Sequence, residues 1–163
     1  MLRWIQGVFS RTYYVQLWEL RIKVQSFGSA EVFDEKPYIA TNNNAGKTSV
    51  VAVGNAAYDM RSNTSLSVIN PFSHPRLLVA NFTAAEQVLN FGIKSLSQNK
   101  LIAPSPVVVI HPREKLEGGV TDVEDRLYRE LALGAGARKV FLHLGDELQT
   151  DSFHPDLLIP KAY

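Results

Sequence analysis

The segment that decides the fold is PSPVVVIHPREKLEGGVTDVEDRLYRELALGAGARKVFLHL, residues 104–144. Its apolar run at 107–110 is Val-rich and follows a Pro-Ser-Pro sequence, a pattern typical of a strand buried on both faces. A second apolar run lies at 140–144, after a helical segment. A strand, a helix and a second strand in this order form a crossover connection, so the segment predicts parallel strands in a sheet covered by helices.

The helix between the two strands carries signals at both ends. Thr121 and Glu124 have the spacing of a capping box, in which the threonine side chain accepts a hydrogen bond from the Glu124 amide. Gly134 and Gly136 predict a left-handed stop. Apolar residues recur at every fourth position and predict one buried stripe, formed by Val123, Leu127, Leu131 and Ala135.

Composition excludes several classes of protein. The chain has 163 residues, of which 45% are hydrophobic and 20% charged, as in an ordinary globular domain. A formal net charge of +1 gives no bulk attraction to nucleic acid. The absence of cysteine excludes disulfides and thiolate metal sites and fits a cytoplasmic location. No apolar run approaches the roughly 18 residues of a membrane span, and we expect no signal peptide.

Before this segment, alternating apolar and polar residues predict short strands at 13–17, 20–24, 31–38, 49–53 and 65–69. Two helical turns are expected at 55–61, a turn or loop at 41–46 and a loop at 70–76. A second capping box at 83–86 predicts a helix through Leu96. Its buried face is predicted to contain Ala85, Val88, Leu89, Gly92, Ile93 and Leu96. From Asp146 onward the patterning is lost, which predicts a loosely held tail.

Two features have both a functional and a structural interpretation. Ala-Gly-Lys-Thr at 45–48 resembles the end of a phosphate-binding loop, but Thr41 stands where that motif requires its first glycine, which favours a hairpin. His111 follows the central strand at the edge where open α/β sheets bind ligands, although a structural histidine is the simpler interpretation. The histidines lack the spacing of metal ligands, so we expect no metal site and no catalytic residue.

Residues 1–10 form an amphipathic segment with two interpretations. Its apolar residues lie near one side of a helical wheel, and Arg3 lies off that side. Such a segment suits the interface of a bilayer. It would equally pack on the core of its own domain, because an isolated helix of roughly ten residues is marginal in water. The candidate membrane-binding residues are Leu2, Arg3, Trp4, Ile5 and Phe9.

Several stretches, taken in order, resemble the MreB family of bacterial actins, the rod-shape-determining proteins. The most specific is Gly-Ala-Gly-Ala-Arg-Lys-Val-Phe-Leu at 134–142, which resembles the family's Gly-Ala-Gly-Ala-Arg-Glu-Val-Phe-Leu. Ser-Val-Val-Ala-Val-Gly at 49–54 and Pro-Ser-Pro at 104–106 also match, and the resemblance covers residues 1–148. It implies an α/β fold of the RNase H-like, actin-type kind, reduced to a half domain with a mixed sheet and flanking helices. Residues 31–82 would be a remnant of the smaller subdomain, and 149–163 a tail.

The resemblance also implies a nucleotide site, and the chain departs from the family there. The family's phosphate turn, Asp-Leu-Gly-Thr-Ala-Asn-Thr, provides an aspartate that organises the metal and a glycine that lets backbone amides approach the phosphates. The corresponding residues here include Gln16, Trp18, Glu19 and Arg21, a degenerate phosphate loop that we expect to bind no cofactor. Leu-Gly-Asp at 144–146 replaces the family's Glu-Glu-Pro, so its water-activating glutamate is missing as well.

The resemblance therefore implies a non-catalytic MreB-like scaffold linked to cell shape or envelope assembly. We expect a cytoplasmic protein, peripheral on the inner membrane through residues 1–10, where Arg3 and Arg11 would favour anionic lipid. A truncated fold exposes apolar surface, so a protein partner or self-association is expected too. The alternatives are a residual ATP-binding protein that completes its cleft by oligomerisation, and an actin-like scaffold of a pilus or secretion assembly.

Overall fold

A mixed five-stranded sheet, the main sheet, lies at the centre of the computed structural model, which describes residues 11–97 and 104–151. Its strands are β1 (Thr12–Leu17), β2 (Ile22–Ser26), β3 (Val32–Glu35), β7 (Val107–Pro112) and β8 (Lys139–Leu142). A second, three-stranded sheet contains β4 (Ile39–Asn44), β5 (Lys47–Val53) and β6 (Ser67–Ile69). The α-helices are α1 (Asn55–Asp59), α2 (Phe82–Ser95) and α3 (Asp122–Gly134), and Met60–Ser62 adds a 3-10 turn after α1.

The main sheet has the strand order β3-β2-β1-β7-β8. Its first three strands are antiparallel neighbours, whereas β7 lies parallel to β1 and β8 lies parallel to β7. In the central pairing, Val108 lies opposite Tyr13 on one side and opposite Val140 on the other. Helix α3 connects β7 to β8, so the crossover predicted from residues 104–144 is confirmed.

Alternate residues of β1 and β7 point to opposite faces of the main sheet, as the period of a strand requires. Tyr13, Val15 and Ile110 face α2 and α3 and belong to the large core cluster, where each is at most 1% exposed. Tyr14 and Val109 face the other side, which we call the second face, and are fully buried there. All six residues of β7 are buried, so the prediction of a strand covered on both faces is confirmed.

Helix α3 begins and ends as its sequence predicts. The Glu124 amide donates to Thr121 Oγ1 at 3.3 Å, and the Thr121 amide donates to Glu124 Oε2 at 2.9 Å, which completes the capping box. At the other end the amide of Ala137 donates to the carbonyl of Ala132, around Gly136 with φ 106°. This is a Schellman end, with Gly136 in the left-handed position. Gly134 is the last helical residue rather than part of the stop.

The stripe predicted along α3 is wrong at its first position, because Val123 is 76% exposed. The buried residues of the helix are Tyr128, Leu131 and Ala132, and Ala135 is buried just beyond it. A spacing of four residues advances about 40° beyond a full turn at each step, because an α-helix has 3.6 residues per turn. Three such steps separate Val123 from Ala135, so the two side chains lie on different sides of the helix.

Helix α2 starts earlier than predicted and uses another cap. Asn81 is the N-cap, and its Oδ1 accepts from the Ala84 amide at 3.0 Å. The predicted capping box at 83–86 is wrong, because a cap at Asn81 places Thr83 inside the first turn. The predicted buried face is confirmed at Ala85, Val88, Leu89, Gly92 and Ile93, whereas Leu96 is only partly buried.

The turn or loop predicted at 41–46 is confirmed only as a turn at 45–46, and residues 41–44 belong to a strand. Strand β4 continues to Asn44 and pairs with β5 as far as Lys47. Only Ala45 and Gly46 form the turn, with φ 52° and 79°, as in a two-residue hairpin with both central residues at positive φ. Residues 45–48 therefore form a β-hairpin, the structural interpretation of that motif.

The remaining predicted elements exist with shifted bounds. The strand expected at 20–24 starts at Ile22, and the one expected at 31–38 ends at Glu35. The two helical turns at 55–61 are α1 and the 3-10 turn, and residues 70–76 form a loop. Residues 1–10 lie outside the described residues, as do 152–163 of the predicted tail.

Candidate functional site

The turn between β1 and β2 lies where the resemblance places a phosphate loop. Gln16 lies near the end of β1, Trp18 and Glu19 follow the strand, and Arg21 precedes β2. The Trp18 amide donates to the Arg21 carbonyl at 2.9 Å, which closes the turn on itself. All four residues of the predicted degenerate loop are thus brought together at one end of the main sheet.

Glu19 connects this turn to the loop after β7. Its amide donates to Glu114 Oε2 at 2.7 Å, and its carboxylate lies 2.9 Å from Lys115 Nζ. Its carbonyl accepts from the side-chain amide of Asn70 at 2.7 Å. The hydrogen bond and charge of Lys115 hold the pKa of the Glu19 carboxyl below its usual range. The backbone groups of Glu19 therefore bond to the protein's own side chains.

Two guanidinium groups flank the indole of Trp18. Arg21 lies 5.0 Å and Arg113 5.7 Å from the ring centroid, both within the range of a cation–π contact. Arg21 also makes a paired interaction with Asp34, with N–O distances of 2.7 and 2.6 Å. Hydrogen bonding to Arg21 holds the pKa of the Asp34 carboxyl below its usual range. The charge of Arg21 is therefore already matched by a carboxylate of the same chain.

Gln16 is fully buried on the second face. Its Nε2 donates to Glu147 Oε1 at 3.0 Å, while its Oε1 has no hydrogen-bond partner among the described residues. Lys23 Nζ lies 3.9 Å from the same Glu147 oxygen. A neutral amide thus stands where the resemblance places the family's aspartate, and its donor is bound to a carboxylate of the same chain.

His111 lies near the carboxyl end of β7, as predicted, and is 1% exposed. Its Nδ1 lies 2.6 Å from the hydroxyl of Tyr14, and its ring contacts the His143 ring edge-on at 4.6 Å. Burial, followed by the charges of His143 and Arg113, lowers the pKa of His111 to about 4. His111 is therefore neutral at physiological pH and belongs to a buried hydrogen-bonded network.

Residues 144–146, which replace the family's Glu-Glu-Pro, lie just beyond β8. The carbonyl of Asp146 bonds to His143 Nε2 at 2.7 Å, and Gly145 has φ 135°. Neighbouring Glu147 is directed to Gln16 rather than to the β1–β2 turn. Among residues 11–97 and 104–151, no group of three or more His, Asp or Glu side chains is arranged to hold a metal ion.

Sequence reasoning did not predict the contacts that the site residues make with Tyr14, Arg113, Lys115 and Glu147. Tyr14 shares a face of β1 with Gln16, so the period of the strand was a signal for it. The other three follow the ends of β7 and β8, where a parallel sheet collects its loops, but no motif marks them. The predicted membrane-binding residues 2–5 and 9 lie outside the described residues. No helix in the described part of the chain is long and apolar enough to cross a bilayer.

Comparisons with solved structures show the fold. MreB5 of Spiroplasma citri, bound to ADP, has a TM-score of 0.63 and 21% sequence identity over 82% of this chain and 38% of that protein. A non-polymerising mutant of MamK bound to AMPPNP has a TM-score of 0.64 and 17% identity over 82% of this chain and 40% of that protein. At such identities the likeness is one of fold, and the fold is the predicted actin-type α/β fold.

Sequence comparisons show the family. The profile of the family described as MreB/Mbl protein matches residues 14–148. The cell shape-determining protein MreB of Escherichia coli K12 is 34% identical over 146 residues, which is 87% of this chain and 40% of that protein. A short protein of the same organism, YjaA, is 32% identical over 102 residues and is covered to 80% of its length. This chain thus spans about 40% of the length of the MreB relatives, and it belongs to the MreB/Mbl family.

Proposed function

We propose that this protein is a non-catalytic member of its family. It would act as an interaction or scaffold component of the cell-shape or envelope-assembly machinery at the inner membrane. The observation that carries the proposal is the β1–β2 turn, whose backbone and side chains bond to the rest of the chain. The proposal rests on two features of that turn, its amides and its charge.

Backbone amides are the groups with which an actin-type turn holds phosphate. Here the amide of Trp18 bonds to Arg21 and the amide of Glu19 bonds to Glu114. A phosphate would have to break both bonds. It would also have to displace the indole of Trp18 from its two guanidinium neighbours. Each of these costs would be subtracted from the free energy of binding.

The charge of the turn opposes a nucleotide as well. Glu19 and Glu114 bring two carboxylates to the turn, and the single ammonium of Lys115 contacts Glu19. The cations nearest to the indole include Arg21, which is paired with Asp34. A triphosphate would add several negative charges beside these carboxylates without an aspartate at position 16 to organise a magnesium ion.

A titration with magnesium and ATP tests the proposal. A ligand that binds the folded state raises the melting temperature, and one at a hundred times its Kd stabilises by about 2.7 kcal/mol. We expect no rise with millimolar ATP and magnesium, while E. coli MreB, measured in parallel, serves as the positive control. A saturable rise would contradict the proposal. If that rise increased with protein concentration, it would favour the alternative, an ATP-binding protein that completes its cleft by oligomerisation.

The proposal places the protein on the membrane through residues 1–10. The aromatic side chains of Trp4 and Phe9 would enter the bilayer interface, and Arg3 and Arg11 would lie near anionic headgroups. We expect the double variant Trp4→Ala, Phe9→Ala to lose binding to phosphatidylglycerol vesicles in a flotation assay. The double variant Val123→Ala, Leu133→Ala, at two exposed apolar positions of α3, is the control. Equal binding by wild type and the Trp4/Phe9 variant would argue that the segment packs on the protein instead.

The identity of the partner proteins distinguishes this proposal from the alternative of a pilus or secretion scaffold. A scaffold of a pilus or secretion assembly would use the same inactive fold and would differ only in the proteins it contacts. Affinity purification from cells grown as rods, followed by mass spectrometry, distinguishes the two. Recovery of cell-wall elongation proteins is expected, whereas recovery of pilus or secretion components alone would replace the cell-shape role with the alternative.

A further inference from the structure

A cavity of about 240 Å³, which we call the basal pocket, opens at the edge of the main sheet where β1 and β7 begin. It lies at the other end of β1 from the turn that carries Trp18. The ends of α2 and α3 form its walls through Ile93 and Ala135, and Tyr13 and Pro106 line it from the sheet. Most ligand pockets have a volume of roughly 300–1,000 Å³, so this smaller one suits one or two side chains rather than a larger ligand.

The polar groups of the basal pocket bond mainly to one another and to the nearby backbone. The hydroxyls of Tyr13 and Ser97 lie 2.9 Å apart, and Ser97 Oγ donates to the Ile93 carbonyl at 3.0 Å. The side-chain amide of Asn90 donates to the Ala135 carbonyl at 2.9 Å. These bonds leave mainly apolar surface for an occupant to contact, so the pocket favours an apolar side chain.

Arg11 lines the basal pocket and fixes the path of the chain beside it. Its guanidinium nitrogen Nη1 donates to the Leu96 carbonyl and to Glu31 Oε2, each at 2.7 Å. Its own carbonyl accepts from the Val107 amide at 3.0 Å. The chain therefore enters β1 at the rim of the pocket. Phe9 comes two residues earlier, so its Cα atom lies within about 7 Å of the Cα atom of Arg11.

The second face of the main sheet is covered by another part of the chain. The Leu148 amide donates to the Tyr14 hydroxyl at 3.3 Å, and the Leu148 side chain packs against the cluster that contains Tyr14. The loosely held tail predicted from Asp146 is therefore wrong as far as Leu148. Of the two faces of β1, the face of Tyr13 is the one that offers an apolar opening beside Arg11.

We propose that residues 1–10 of the same chain dock in the basal pocket, with the side chain of Phe9 as the anchor, and that docking withholds them from a membrane. Large apolar side chains make up half of this segment. Because the segment is tethered to Arg11, it meets the pocket at an effective concentration on the order of millimolar, which a separate partner does not have. The same side chains cannot enter the pocket and a bilayer at once, so the pocket is an autoinhibitory site. Docking itself needs no membrane, whereas the competition rests on the proposed function.

Engineered disulfides in the full chain test docking, because the chain has no cysteine of its own. Gln6→Cys is combined with Ser105→Cys, at an exposed residue that lines the pocket. The matched control combines Gln6→Cys with Ala30→Cys, at an exposed residue next to Glu31, which contacts Arg11 but does not line the pocket. In oxidised glutathione the first pair should close within one chain about tenfold faster than the control pair, since docking raises its effective concentration.

Three results would overturn the docked state. Equal closure rates for the two pairs would show that the segment has no preference for the pocket. Disulfides that join two chains, seen as dimers on a non-reducing gel, would assign the pocket to the segment of a second copy. Phe9→Ser, added to the pair with Ser105→Cys, should slow closure to the rate of the control pair, and an unchanged rate would reject Phe9 as the anchor.

The same closure rates, measured with vesicles, test the competition. Phosphatidylglycerol vesicles should slow the pair with Ser105→Cys about tenfold, because a segment bound to the bilayer is not available to the pocket. Vesicles of phosphatidylcholine, which lack net charge, are the control and should slow it less. Unchanged closure by a protein that floats with the anionic vesicles would overturn the autoinhibition. A protein that does not float with them would overturn the competition and the membrane role, while the rates without vesicles still decide docking.

Discussion

Gln16 and His111 are polar side chains that are almost completely buried. Both are buried on the second face, and both bond to residues 145–151. Gln16 has one oxygen without a partner among the described residues, and an unpaired buried acceptor costs about 1–3 kcal/mol. A glutamine is nevertheless far cheaper to bury than the charged aspartate of the family would be without a metal ion.

The titration of His111 predicts acid sensitivity of the whole fold. Its pKa is lowered from 6.5 to about 4, so the stability it contributes is complete above pH 6.5 and is lost as the pH falls toward 4. Between pH 7.5 and pH 5 the free energy of unfolding should fall by about 2 kcal/mol. Urea unfolding at both pH values measures this loss. His111→Gln should remove most of it, and an unchanged loss in that variant would assign the acid sensitivity to other groups.

Residue patterns were sufficient to predict that Gln16 lies in a strand and that Trp18 and Glu19 follow it in a turn, because apolar and polar residues alternate there. They were insufficient for the contacts of these residues. Glu114 is distant in sequence from Glu19, and Glu147 is distant in sequence from Gln16, the residues that they contact. Such pairings depend on how β7 and β8 align with β1, which no local pattern encodes.

At the scale of the element, helix α2 shows a choice between two caps. Asn81 and Thr83 are both good capping residues, and the structure uses Asn81. We predict that Asn81→Ala lowers the free energy of unfolding by about 1 kcal/mol, because the Ala84 amide loses its acceptor. Thr83→Ala is the matched control and should change stability by only a few tenths of a kcal/mol, since alanine is the better helix former. Chemical denaturation measures both.

The reverse result, a larger loss of stability for Thr83→Ala, would mean that the helix starts at the capping box predicted from sequence.

Strand β4 shows that local sequence preference does not always decide which element forms. Its Asn-rich end, Asn42 to Asn44, has low strand propensity, yet it pairs residue by residue with β5. Local preference was overridden by a hairpin whose turn, Ala45 and Gly46, suits that pairing.

At the scale of the whole molecule, the chain spans about 40% of its MreB relatives and retains apolar surface. One such region lies between β5 and α2, where a groove of about 400 Å³ is lined by Val50, Val53 and Phe91 together with polar side chains that include Glu86 and Lys94. Strand β5 is an edge of the second sheet, and its Val50 and Val51 are 46% and 47% exposed. An open edge with exposed valines beside a partly apolar groove favours association with another chain.

We therefore predict that the protein self-associates through this region. Sedimentation velocity should show an average mass that rises with protein concentration. Val50→Asp places a charge at the open edge beside the groove and should shift the protein toward the monomer. Val123→Asp is the control, because Val123 is 76% exposed on α3 and does not line the groove. A wild-type protein that stays monomeric at all concentrations would contradict self-association and would indicate that a different partner covers this surface. Equal effects of the two variants would indicate that the contact lies elsewhere on the protein.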